Sequence, residues 1–138
     1  MDCVVRWAGG MAFVAETGSN HMVAMDGAPE GGGRNLAPRP MEMVLLGTGG
    51  CTAYDVMVIL QKSGQDVTGC EVRLSSDRAE TDPKVFTRIH MHFVVRGRAL
   101  KPNVVGHAIR LSREKYCSAS IMLGMTAKIT EDYEIIEG

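Results

Sequence analysis

Paired cysteines are missing from this chain: its four cysteines stand singly at positions 3, 51, 70 and 117. Without a CxxC pair, neither a zinc ribbon nor a thioredoxin-type motif can be built. Aromatic residues are scarce, with one Trp, three Tyr and three Phe. The basic residues are scattered and the net charge is −1, so neither nucleic acid nor an anionic membrane is an expected partner. The first residues, Met1-Asp2-Cys3-Val4-Val5-Arg6-Trp7, show no basic segment followed by an apolar one, so no secretory leader is expected. The longest apolar stretch, Met41 to Leu60, is interrupted by Glu42, Asp55 and three glycines. Those residues suit a buried helix better than a membrane span. Gly31-Gly32-Gly33 has no following Lys-Ser/Thr, so phosphate cradling of the P-loop type is not expected. A cytoplasmic protein follows, and in a reducing cytoplasm structural disulfides are disfavoured. The cysteines are then either inert core thiols or reactive ones.

Methionine, by contrast, is abundant, with ten residues that suit core filling. The length of 138 residues fits one domain over 1–138. Cys3 to Ala8 and Met11 to Glu16 read as a hairpin around Gly9-Gly10, and His21 to Met25 as a third strand. Asp26 to Pro40 carries four glycines and three prolines and reads as a long loop. Pro40 suits the first turn of a helix running to about Ser63 and stopping at Gly64. That helix is apolar all round, which predicts a long buried central helix. Asp66 to Glu80 and Val85 to Arg98 read as two long strands, the second with clear alternation of its two faces. Pro102 to Tyr116 reads as a second helix, and Thr126 to Ile136 as a last strand. The order β-β-β-α-β-β-α-β gives an α+β class.

Cys51 lies in the middle of the first helix, behind Gly47-Thr48-Gly49-Gly50. These small residues let another backbone or a substrate approach closely. A free cysteine in an apolar helix is commonly a small core residue, whereas a reactive one needs access and a stabilised thiolate. Cys117 sits at the end of the second helix, and the same two readings apply. His90 and His92 share a strand face, which two solvated histidines or a metal pair lacking its third ligand would both explain. No metal is expected. Cys3 and Cys70 fall in strands as packing residues.

Two segments carry a resemblance. Pro40-Met41-Glu42-Met43-Val44-Leu45-Leu46-Gly47-Thr48-Gly49-Gly50-Cys51-Thr52 resembles the first-cysteine helix of the OsmC/Ohr family. Lys115-Tyr116-Cys117-Ser118-Ala119-Ser120 resembles its second-cysteine motif. The likeness extends along essentially the whole chain and is nearest to the YhfA-type OsmC-like branch. It implies an OsmC-like fold, an intertwined homodimer with two long helices at its centre, and active sites near the subunit interface. It also implies a thiol-dependent peroxidase that serves oxidative and osmotic stress defence without a cofactor. In that chemistry Cys51 attacks an organic hydroperoxide and becomes a sulfenic acid. Cys117 then resolves it as a disulfide, and a dithiol reductant restores the pair.

The activating device of the family, an arginine held by a helix glutamate, has no clear counterpart. Met41 stands where that glutamate belongs. Glu42 is about 900° of helix from Cys51, half a turn off its face. Asp55, four residues after Cys51, shares its face and would raise the thiol pKa unless a cation intervenes. Arg6, Arg34 and Arg39 are candidate cations. Arg39 is the first choice because Pro40 fixes it at the helix start, but it is about 18 Å of helix from Cys51 and would have to act across a dimer. Two functions are therefore open: a two-cysteine hydroperoxide peroxidase, or a module that binds an apolar small molecule or senses redox state.

Overall fold

Hydrophobic alternation and turn residues divide the chain into the expected strands, and the computed structural model describes all residues 1–138. The chain forms two compact units, Met1–Leu46 and Gly47–Gly138. In the first unit, β1 (Cys3–Trp7), β2 (Phe13–Thr17) and β3 (Met22–Met25) form an antiparallel meander in the order β1-β2-β3. The following loop is long but tied down. The buried Asp26 carboxylate accepts backbone N–H groups from Gly27 at 2.7 Å, Leu36 at 3.2 Å and Arg34 at 3.3 Å. The Gly27 amide leads the donors that hold this carboxyl below the usual carboxylate range, against the upward push of burial. Gly33 is required here, since a Cβ on it would lie 2.1 Å from the Gly27 carbonyl oxygen.

Helix α1 runs Pro40–Lys62, close to the predicted limits. Its N-terminus is closed by Glu42, whose Oε1 accepts the Arg39 backbone N–H at 2.9 Å. The expectation of all-round burial is corrected. Only Thr48, Gly49, Thr52, Val56 and Leu60 are buried, a stripe at helical spacing, while Val44, Leu46 and Tyr54 are exposed. The physical reason is that one chain supplies cover for one stripe only. By length and composition α1 could cross a membrane, and the short buried stripe makes up 28% of its most apolar window.

In the second unit, β4 (Asp66–Arg78) and β5 (Phe86–Arg98) pair antiparallel, and β6 (Lys128–Glu137) pairs parallel to β5. The sheet order β4-β5-β6 puts β5 in the middle. That explains why Ile89, Met91, Phe93 and Val95 are fully buried. A parallel neighbour needs a long crossover. It consists of α2 (Pro102–Leu111), a π-helical turn (Ser112–Tyr116) and α3 (Ser118–Leu123). The predicted second helix thus stops being α-helical at Leu111, and a separate short helix follows Cys117. On α2, Val105, Ala108 and Ile109 form the buried face.

Candidate active site

Cys51 is fixed by α1 at a half-buried position, while Cys117 is fully buried where the crossover turns into α3. The glycines before Cys51 divide in their roles. A Cβ on Gly49 would lie 2.6 Å from Leu74 Cδ1, so this glycine lets β4 approach α1. A Cβ on Gly47 or Gly50 would meet nothing within 4 Å. The π-helical turn sets the position of Cys117, whose N–H reaches back five residues to Ser112 O at 2.7 Å. Such turns are often found at functional sites, because an inserted residue redirects the next side chain.

These elements bring together the two cysteines that the sequence singles out. The sulfurs of Cys51 and Cys117 and a carboxylate oxygen of Asp55 all lie within 4.8 Å of one another. The spacing of four residues places Cys51 and Asp55 on one helix face, as expected. Around them is a set of hydroxyls. Ser112 is fully buried and its Oγ–H lies 3.1 Å from Thr52 O and 3.4 Å from Asp55 Oδ2. Thr52 Oγ1 is 3.1 Å from Cys117 Sγ and 2.9 Å from Thr48 O. One hydroxyl proton serves one acceptor at a time, so it turns to the sulfur when Cys117 is a thiolate. Ser120 N–H donates to the same sulfur at 3.4 Å.

Electrostatics divide the pair. Burial pushes the Cys51 thiol up, and the neighbouring Cys117 and the Asp55 charge add to that, against an Ala119 N–H that favours the thiolate. Burial also pushes Cys117 up, but hydrogen bonds from Ser120, Thr52 and Cys51 outweigh it and leave its pKa lowered. Of the two sulfurs, Cys117 is therefore the more readily ionised. The resemblance implies Cys51 as the reactive centre, and this order of ionisation is the reverse of what that role by itself suggests.

The proposed supporting residues have other local partners. Arg6 pairs with Glu16 on the β1–β2 hairpin at 3.2 Å, and Glu42 closes the start of α1. None of Arg6, Arg39 and Glu42 figures among the main influences on the Cys51 thiol. Asp55 does. Beside it lies a cavity of about 340 Å³, lined by Asp55, Val58, Ile59, Lys62, Leu111 and Tyr116. His90 and His92 meet a third group, Asp132 on β6, whose Oδ1 lies 3.0 Å from His90 and 2.8 Å from His92. The His92 bond leads in holding that carboxyl below its usual range.

Thr52, Ser112 and Ser120 are the site residues that sequence reasoning passed over. Their signal was present: hydroxyls in otherwise apolar helices, one of them next to Cys51 and another three residues after Cys117.

The OsmC-like protein family model matches residues 31–132. Protein YhfA of Escherichia coli strain K12 is 48% identical over 136 residues, covering 99% of this chain and 98% of that protein. A solved structural-genomics structure is 46% identical with a TM-score of 0.91 and full coverage of both chains. The fold also matches an organic hydroperoxide resistance protein OsmC from Legionella pneumophila, at 15% identity, a TM-score of 0.73 and 97% of each chain. Near-complete coverage by a relative this similar leaves one assignment: the chain belongs to the OsmC-like protein family.

Proposed function

We propose that this protein is a cytoplasmic, homodimeric two-cysteine peroxidase that reduces organic hydroperoxides in stress defence, with a dithiol as its reductant. The observation that carries this reading is the convergence of Cys51 and Cys117 within 4.8 Å, inside disulfide reach after side-chain rotation. The hydroperoxide-resistance name borne by a structural neighbour supports it. Cys51 is the attacking sulfur because it is the accessible one. Its proton moves to the Cys117 thiolate as the peroxide arrives. Cys51 Sγ then attacks the terminal peroxide oxygen and the O–O bond breaks, giving the sulfenic acid and an alkoxide. The alkoxide takes the proton from Cys117 and leaves as the alcohol. Cys117 thiolate attacks Cys51 Sγ, forms the disulfide and expels hydroxide, which solvent protonates. A dithiol donor returns both sulfurs to the reduced state. No nucleic acid, membrane or cofactor takes part in this scheme. The mainly apolar cavity beside Asp55 suits the organic part of the substrate.

The raised Cys51 pKa favours a second reading, an apolar-ligand module or slow redox sensor, because a protonated thiol is a poor nucleophile. The two are separated by treating the reduced protein with one equivalent of cumene hydroperoxide or hydrogen peroxide. The peroxidase reading expects rapid loss of two thiols with the organic peroxide, and a Cys51–Cys117 link on peptide mapping. Slow loss with both peroxides, or a main disulfide through Cys3 or Cys70, would overturn it.

A further inference from the structure

We propose that Cys51, Asp55 and Cys117 also form a binding site for a thiophilic divalent cation, zinc above all, in the reduced protein. Three ligand atoms of the kinds zinc accepts already lie within 4.8 Å of one another. Tetrahedral bonds of about 2.3 Å to sulfur and about 2.0 Å to oxygen put neighbouring ligand atoms roughly 3.5 Å apart. Small side-chain rotations close that difference. The scaffold is stiff where it matters: Cys51 and Asp55 come from one face of a continuous helix, and Cys117 is anchored by the Ser112 carbonyl.

The charges point the same way. Two sulfurs and a carboxylate gather around a point where Asp55 has no cationic partner and only the Ser112 hydroxyl as donor. The mutual repulsion that disfavours ionisation of Cys51 becomes attraction once a dication sits between the groups. Ser120 N–H donates to Cys117 Sγ, and the Thr52 and Ser112 hydroxyls lie within hydrogen-bond distance of Cys117 Sγ and Asp55 Oδ2, so the residues that would orient the ligands are in place. Two thiolates select zinc-like ions over calcium and magnesium, which prefer all-oxygen shells. Three protein ligands leave a fourth position for solvent. Metal binding and disulfide formation use the same two sulfurs, so they exclude each other. The cation would hold the pair reduced, and oxidation would release it.

The test uses the full-length protein carrying Cys3→Ser and Cys70→Ser, reduced and free of oxygen, titrated with cobalt(II). One equivalent should bind, with thiolate-to-cobalt charge-transfer absorption and the intense visible bands of a tetrahedral site, and zinc should bleach both. Cys51→Ser or Cys117→Ser should remove the charge-transfer signal or halve it. Asp55→Ala and Asp55→Asn should each weaken binding by about tenfold or more. Circular dichroism identifies the variants that keep the native fold. Protein oxidised to the disulfide should bind no cobalt. Absence of thiolate-to-cobalt absorption would overturn the proposal, as would a full signal in Cys117→Ser or unchanged affinity in both folded Asp55 variants. No peroxide enters this titration, so its result stands apart from that of the peroxidase assay.

Discussion

At the scale of the residue, the site is a dithiol whose two sulfurs ionise unequally. Cys117 gathers donors from Ser120 and Thr52, while Cys51 faces burial, a neighbouring sulfur and the Asp55 carboxylate. The sign of the resulting pH dependence is fixed. A raised pKa means that Cys51 is protonated at neutral pH, and its reaction with an alkylating agent should accelerate only as pH rises beyond the ordinary thiol range. Asp55→Asn removes one of the charges that raise it, so the whole profile should move to lower pH. Alkylation of Cys51 at pH 7 should become faster, by less than the about tenfold that a full pKa unit would give. Rates followed by mass spectrometry over a pH series would check this. An unchanged profile would show that Asp55 does not act on the thiol. If Arg6→Ala or Arg39→Ala displaced the profile to higher pH, an arginine would be supporting the thiolate after all.

At the scale of the element, α1 reconciles two demands. Its buried stripe is built from small and β-branched residues, Thr48, Gly49, Thr52 and Val56, so that β4 and the crossover can approach the cysteines. The glycines should then differ in their response to substitution. Gly49→Ala drives a methyl group into Leu74, and overpacking costs about 1–3 kcal/mol, against a helical gain of about 1 kcal/mol. Gly50→Ala meets no group in its own chain and keeps the helical gain. Thermal unfolding should therefore rank Gly49→Ala below Gly50→Ala, and the reverse order would show that Leu74 is not what requires the glycine. The π-helical turn is the other element-scale device. Continuing α2 regularly beyond Leu111 would point Cys117 elsewhere, and the extra residue in the turn is what delivers it beside Thr52.

At the scale of the whole molecule, what a single chain leaves uncovered is informative. Leu46 is 59% exposed and Tyr54 72% exposed on α1, and Trp7 is 70% exposed on β1. Large apolar side chains in such numbers on a chain this short are candidates for cover by another partner. The homodimer we propose supplies that partner as a second copy. Sedimentation at micromolar concentration should give a dimer, and Tyr54→Glu should shift it toward monomer. A wild-type monomer would refute the dimer.

Much of this was legible in the sequence. Alternation in β5, Pro40 and Gly64 at the two ends of α1, and the turn residues between the strands determine the element order, because each is a local constraint on the backbone. The two cysteine segments determined the family. Tertiary structure alone decided the rest. Cys51 and Cys117 are 66 residues apart, and only the parallel pairing of β5 with β6 forces the crossover that carries one sulfur to the other. The same crossover placed Ser112 and Ser120 around the pair and made Cys117 easier to ionise than Cys51. Hydrogen bonds between distant segments set that ionisation order, and no local pattern of residues encodes them.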